Sequence, residues 1–452
     1  MDLTYIGIIL FILGSLCLSI FYILTERSFN AFCLFWVAYP FVCFINKELG
    51  SIGFKNIFIY DLAVSIESIY LLIIFVVYFL KNISKMQIFF NKQLVWFYLL
   101  MLLPIPFLCF SDNVAKSFVF YIFDMLIPIL FCIFTLTSIK DKKQIEKGIS
   151  FLLISLGLFL FVTFYFYLRM NIQENSLDLY GSSSIVIISF GNLAGLVFFV
   201  LPFILFKMKE NKGYVVLFLI AILFILLSNS RSVQLGLIMC FGLILVFSRI
   251  KLNKKILCFI LMLGSFLFIF FGFHCFGEKL NYSNRLVLSV KEYFKNEINI
   301  DKLSSGRIEI LDSAIRMIKD HPIKGIGAGM WNDYAFLYRS KEYYVKHDGA
   351  GHNFYYSIDS HNFFLDLYLK YGIFTFLFFL FFILNKSFHL YKNMTASKDK
   401  QILISCFICL SCFFVVSNFG FRFYFYQCGS LISGVFFFAI IAFAFKLIQK
   451  KV

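Results

Sequence analysis

Apolar runs long enough to cross a bilayer follow one another along almost the whole chain, and that succession constrains the fold more than any single motif. A spanning helix needs roughly 18 or more apolar residues with few charges. Candidate spans cover Leu3–Leu24, Phe29–Ile45, Ile57–Leu80, Gln93–Phe110, Ala115–Leu136, Ile149–Leu168 and Ile185–Phe206. They continue with Tyr214–Leu227, Val233–Phe247, Ile256–Phe276, His361–Leu384, Ile402–Phe419 and Cys428–Phe445. The expected fold class is therefore an all-α polytopic membrane protein with about 12–13 transmembrane helices, since helices bond their backbone groups internally in lipid. Asp61 and Glu67 interrupt the third candidate, which makes it the weakest. Met1–Leu24 has neither a basic leader nor a small-residue cleavage site, so it is expected to stay as the first span.

A formal charge of +16 could point to nucleic acid, but its distribution does not. The basic residues gather in short connections such as KNISKMQIFFNK, KDKKQIEK, KMKENK, SRIKLNKK and the Lys386–Lys400 segment. The long interval Gly277–Ser360 holds 12 Lys and Arg against 11 Asp and Glu, close to neutral. This is the positive-inside pattern: basic loops cytoplasmic, long neutral loop outside, and no nucleic-acid face required. It divides the chain into N-terminal spans (1–276), an external loop with amphipathic helices (277–360) and C-terminal spans (361–452). The 12 cysteines lie mostly within apolar spans and lack metal-site spacing with histidine, so they read as small apolar residues.

The longest polar interval ends in the stretch Ser304–Gly372, where chemistry-bearing residues collect. Ser304 and Ser305 can cap a helix in which Ile308, Leu311, Ile315 and Ile318 form an apolar stripe. Pro322 and the glycines at 325, 327 and 329 end it, as turn chemistry without the βαβ context of a dinucleotide site. His361 and Asn362 stand at the mouth of the next apolar helix, whose first turn offers N–H groups and a positive dipole end to an anion. Arg307 opens the amphipathic helix, and Arg231, in the turn Ser228–Ser232, falls on the same face by topology. An arginine presents a planar, always-charged fork suited to diphosphate. A histidine can move a proton near neutrality. The bland alternatives are snorkelling or solvated arginines and an interfacial histidine. His352-Asn353 repeats the His-Asn pair in a glycine-flanked loop and is the competing position. The Tyr-rich passage (Tyr334, Tyr338, Tyr343, Tyr344, Tyr355, Tyr356) fits either sugar stacking or an interfacial aromatic belt. No Asp-x-Asp pair occurs, so no metal site on a pyrophosphate is expected.

These residues resemble the O-antigen ligase and O-antigen polymerase superfamily of membrane glycosyltransferases. The pieces are Ser230-Arg231 at a span junction, Gly306-Arg307 opening a helix that ends in His321-Pro322-Ile323-Lys324-Gly325-Ile326-Gly327, and His361-Asn362 followed by Gly372. Phe190-Gly191-Asn192 is similar to the small-polar entry to the seventh span. Two departures, Ser232 after the first arginine and Thr375 in place of a second glycine, concern helix packing. The resemblance implies a GT-C-like fold and a donor of undecaprenyl diphosphate-linked glycan, used at the periplasmic face of the bacterial inner membrane without cofactor or metal. It further implies that Arg231 and Arg307 hold the diphosphate and His361 activates the acceptor hydroxyl, with Asn362, Asn192 and His352 in support. The partners would be the lipid-linked glycan, membrane lipid, and either lipid A-core or a growing glycan as acceptor, with no nucleic acid. A ligase is favoured by the single dominant loop, a polymerase is the alternative, and a polysaccharide flippase is the competitor from another class.

Overall fold

The structure, a computed structural model, describes residues 3–51, 57–59, 62–64, 66–89, 91, 94–174, 190–208, 210–227, 231–247, 307–338, 360, 362–394, 400–416 and 432–449. These are almost entirely helical. The early helices are α1 (Leu3–Leu24), α2 (Ser28–Ser51), α3 (Ile66–Asn82), α4 (Val95–Leu102), α5 (Pro104–Cys109), α6 (Val114–Tyr121), α7 (Ile127–Ser138) and α8 (Lys142–Glu174). Then come α9 (Phe190–Lys207), α10 (Gly213–Leu227), α11 (Arg231–Phe247), α12 (Arg307–Asp320), α13 (Trp331–Tyr338), α14 (Phe363–Met394), α15 (Lys400–Val416) and α16 (Ile432–Gln449). Six described helices are long and apolar enough to cross a membrane, and further apolar helices of 10–17 residues accompany them. The chain is a multi-pass, all-α membrane protein.

Local chemistry explains where the helices depart from the expected spans. The third candidate begins late: Ile57–Ile59 and Leu62–Val64 pair as a short antiparallel hairpin, and only at Ile66 does α3 start. Glu67, in the first turn of α3, is buried and accepts a hydrogen bond from the Cys43 thiol at 2.8 Å. The Gln93–Phe110 candidate is two helices, because Pro104 has no N–H to continue α4. Pro128 acts on the next span. Its ring would clash with the carbonyl of Asp124, and Ile122–Leu126 widens into a π turn between α6 and α7. The tenth candidate, Ile256–Phe276, lies outside the described residues.

Two compact units are formed: Met1–Gly148, Ser304–His389 and Ser417–Val452 make the first, and Ile149–Leu303 and Leu390–Val416 the second. Aromatic packing holds the first unit. Phe32, Phe35, Trp36 and Tyr39 of α2 are fully buried; Phe35 meets Phe131 of α7 at 4.9 Å and Trp36 meets Phe436 of α16 at 4.8 Å. Phe97 of α4 lies 5.6 Å from Phe382 of α14 and 5.2 Å from Phe445 of α16. In the second unit Phe247 of α11 packs on Phe407 of α15 at 5.0 Å, and the Ser405 hydroxyl donates to the Pro202 carbonyl. Cys406, Cys409 and Cys412 are buried along α15, as expected of small apolar side chains.

The first unit has two distinct polar ends. At one, Lys85 pairs with Glu26 at 2.8 Å, and Lys85, then Lys81 and Lys140, hold the Glu26 carboxyl below its ordinary range. Val114–Ser138, 25 residues and so about 37 Å long at 1.5 Å per residue, separates that end from the corner Phe110–Asn113. The polar segment 307–338 attaches at this second end: Lys324 Nζ donates to the Phe110 carbonyl, Lys116 pairs with Asp333 at 2.9 Å, and the Ser117 hydroxyl donates to the Ala328 carbonyl at 3.0 Å.

What fixes the segment there is a backbone exchange with α14. That helix breaks at Gly372 (φ 79°, ψ 170°). The Leu369 carbonyl freed by the break accepts the N–H groups of Ile326 and Gly327 at 2.7 and 3.1 Å, and the Ile373 N–H donates to the Ile323 carbonyl at 3.1 Å. A side chain at Gly325 would place its Cβ 2.3 Å from the Leu369 carbonyl oxygen, and one at Gly372 would meet the Ile323 carbonyl at 2.7 Å. Both glycines also have positive φ. Gly325→Ala is therefore expected to destabilise by at least about 2 kcal/mol. Gly242→Ala, with nothing within 4 Å of its Cβ, should be neutral or stabilising by up to about 1 kcal/mol. Denaturation of the two purified variants in one detergent measures the contrast.

Candidate functional site

The polar segment is a small folded unit with its own core. Ile310, Ala314 and Met317 of α12, Ile326 and Met330 of the turn, and Trp331 and Ala335 of α13 close around Leu369 of α14. The buried stripe of α12 is thus not the expected one. Ile315 is 45% exposed, and Leu311 and Ile318 are half-buried, so the sequence carries two apolar stripes and the protein buries the one containing Ala314 and Ser313. Small residues there let the helix approach the turn closely. Pro322 ends α12 as anticipated, and the His321 N–H still donates back to the Met317 carbonyl.

The entry to α14 is closed by its own side chains. Asn362 Oδ1 accepts the N–H groups of Phe364 and Leu365 at 3.0 and 3.2 Å, and Asp366 Oδ1 reaches back to the Ser360 N–H at 2.8 Å. The Ser360 hydroxyl and the Asn362 backbone bond each other. Asn362 is therefore a helix cap, and two first-turn donors expected to be open to an anion are occupied. His361 lies outside the described residues, but both its neighbours in the chain are anchored. It also precedes a short helical stretch, Phe363–Tyr371, whose Leu369 belongs to the core of the polar segment, with the break at Gly372 coming before the rest of α14.

Below the turn lies a charged group that the hydropathy pattern hides. Asp124, on the π turn, is buried; its Oδ2 accepts from Lys370 Nζ at 2.9 Å and from the Tyr371 hydroxyl at 2.8 Å. All three stand within two residues of a helix irregularity. Asp124 was visible as an acidic residue in a span, and its distance of four from Pro128 is the signal for the π turn. Lys370 is likewise a charge inside a candidate span, His361–Leu384, but nothing in the sequence pairs it with Asp124.

The other candidates fall as follows. Arg231 is the first residue of α11, Arg307 the first of α12 and Asn192 the third of α9. Arg231 and Asn192 belong to the second unit, Arg307 to the first. The side chains of these three, and all of His352, lie outside the described residues. Of the Tyr-rich passage, Tyr334 and Tyr338 are described, on α13, and their hydroxyls donate to Asp112 and Asp320 respectively. Burial first, then the Asp112 carboxylate, pushes the Tyr334 phenol up to about 12, so it stays a neutral donor. Among the described residues no group of three His, Cys, Asp or Glu side chains could hold a metal ion.

Residues 216–380, from α10 to the middle of α14, match the family model Wzy_C, described as O-antigen ligase. Over that stretch, 165 of the 452 residues, the chain is similar to the O-antigen ligase family. The matched stretch takes in Arg231, Arg307, His352, His361 and the break at Gly372, and leaves Asn192 and the first nine described helices outside. No curated protein and no solved structure matches the chain. That similarity supports, in general terms, an O-antigen ligase- or polymerase-like function.

The Asp124–Lys370 pair should behave as a buried ion pair. Asp124→Leu or Lys370→Met alone leaves an uncompensated charge and should cost roughly 3–5 kcal/mol, while the double variant should lose clearly less than the sum. Equilibrium denaturation of the two single variants and the double variant gives the coupling directly.

Proposed function

We propose that this protein is an inverting, metal-independent glycosyltransferase of the O-antigen ligase type, acting at the periplasmic face of the bacterial inner membrane in lipopolysaccharide biosynthesis. It moves glycan from undecaprenyl diphosphate to an acceptor hydroxyl of lipid A-core oligosaccharide. The observation that carries the reading is the family match, whose extent includes Arg231, Arg307 and His361. In the reaction His361 accepts the proton of the acceptor hydroxyl as its oxygen bonds the anomeric carbon. The bond to the lipid diphosphate breaks with inversion, and the diphosphate leaves with its electron pair. Arg231 and Arg307 balance the charge on that leaving group. Arg231 opens a helix with no acidic residue in its first turn. A cation at a positive helix end is unfavourable without an anion or water beside it. The periplasmic assignment draws on the polar segment lying at the opposite end of the first unit from Glu26, Lys81, Lys85 and Lys140.

Positioned base catalysis contributes about 10²–10⁴-fold, so His361→Ala should lose that much transfer from purified lipid-linked donor, with expression and fold retained. His352→Ala and Asn362→Ala should be much milder, the second through loss of a cap. Arg231→Lys and Arg307→Lys should each impair transfer, because a point charge replaces a bidentate fork. Near-normal turnover by His361→Ala removes the proposed base. The glycan profile of a deletion strain separates the two family activities: core without attached polymer marks a ligase, core carrying a single repeat a polymerase.

Asn332 is exposed on α13 and reports the sidedness. An Asn332→Cys variant should react with an impermeant thiol reagent in cells whose outer membrane alone is permeabilised. Reaction only after inner-membrane lysis would overturn the periplasmic assignment.

A further inference from the structure

We propose that Tyr334 and Tyr338, with Asp112 and Asp320 behind their hydroxyls, form a platform that binds the saccharide part of the substrate. This rests on the glycan-transfer reading and adds a subsite to it. The two tyrosines are four residues apart on α13, hence neighbours on one face. Their rings lie nearly parallel, 24° between planes with centroids 6.5 Å apart, and the His321 ring stands edge-on to Tyr334 at 5.3 Å. Both tyrosines pack against the core of the extramembrane unit and are half-buried, so part of each ring surface remains open.

The hydroxyls are tied from two directions. Tyr334 donates to Oδ2 of Asp112, at the α5–α6 corner, and Tyr338 to Oδ2 of Asp320, at the end of α12. Both carboxylates are exposed, and among the described residues no hydrogen bond to either Oδ1 is formed. Rings fixed in this way lose little freedom when a ligand stacks on them. A pyranose presents a C–H face and a rim of hydroxyls. Neutral phenol rings suit the C–H face, and carboxylate oxygens beside them suit the hydroxyl rim.

Charge selects among possible ligands. Asp112 and Asp320 hold the two hydroxyls, while Lys116 is paired to Asp333 and Lys324 Nζ is bonded to the Phe110 carbonyl. Carboxylates at the ring hydroxyls disfavour a phosphate oxygen in that place and accept from the hydroxyls of an uncharged polyhydroxyl chain. The aromatic residues therefore act here as a sugar surface rather than as an interfacial belt, and the diphosphate belongs elsewhere.

The test uses full-length protein in detergent and two probes: inorganic pyrophosphate, and the oligosaccharide freed from the host's lipid-linked intermediate by mild acid, which carries no diphosphate. Saturation-transfer difference NMR with titration should show saccharide binding by the wild type. A Tyr334→Phe, Tyr338→Phe variant should stay within about threefold, and Tyr334→Ala, Tyr338→Ala should weaken binding by about tenfold or more, with pyrophosphate affinity unchanged. Asp112→Asn, Asp320→Asn keeps the rings, guards against loss of fold in the alanine pair, and should weaken the saccharide about threefold or more. No saccharide binding by the wild type, or wild-type affinity retained by the alanine and asparagine pairs, overturns the platform. Binding through these tyrosines by a protein that transfers no glycan supports the platform and sinks the transferase reading. Transfer with saccharide contacts indifferent to the tyrosines sinks the platform alone.

Discussion

Three backbone hydrogen bonds across the Gly372 break hold the polar segment to its membrane helix, and the rest of the extramembrane architecture depends on them. A continuous α14 would consume the Leu369 carbonyl and the Ile373 N–H within itself. The break releases both, and the turn Ile323–Gly327 takes them up. Backbone polar groups near lipid are costly when unpaired, so a broken helix and an irregular turn are each unfavourable alone and compatible together. The core around Leu369, the capped entry at Asn362 and the docking of Lys324 and Ser117 all follow from that one junction.

The cap at Asn362 bears on the proposed chemistry more than the open helix end it replaces. A base must sit within hydrogen-bond reach of its proton. Ser360 and Asn362, the described neighbours of His361 in the chain, are held by bonds to each other and to Asp366 and the first turn of the helix. In the proposed reaction the anion-binding role that a free helix end could have filled is given to guanidinium groups.

Much of this was legible in the sequence, and the limits have physical causes. Span existence is a matter of length and apolarity, so α1 and α10 were read almost residue for residue. Pro322 and the glycines at 325, 327 and 329 announced the turn, because few other residues tolerate that backbone. The break at Gly372 was not readable, since a glycine in an apolar run is common and its meaning lies in the partner turn at Ile323–Gly327. The α12 stripe was misassigned because period alone cannot tell which of two apolar faces a neighbour covers. Lys370 was missed for the same reason: its partner is remote in sequence.

That remoteness sets an order on assembly. Asp124 and Lys370 are separated by 246 residues, and at roughly 5–20 residues per second the ribosome needs about 12–50 s to make the second after the first. Throughout that interval the sixth and seventh helices wait without the cation they are built around. Phe436, which packs against Trp36 of the second helix, arrives later still. The first unit is therefore opened by the beginning of the chain and closed by its end, and a nascent protein stalled between them is a bundle with its seam undone.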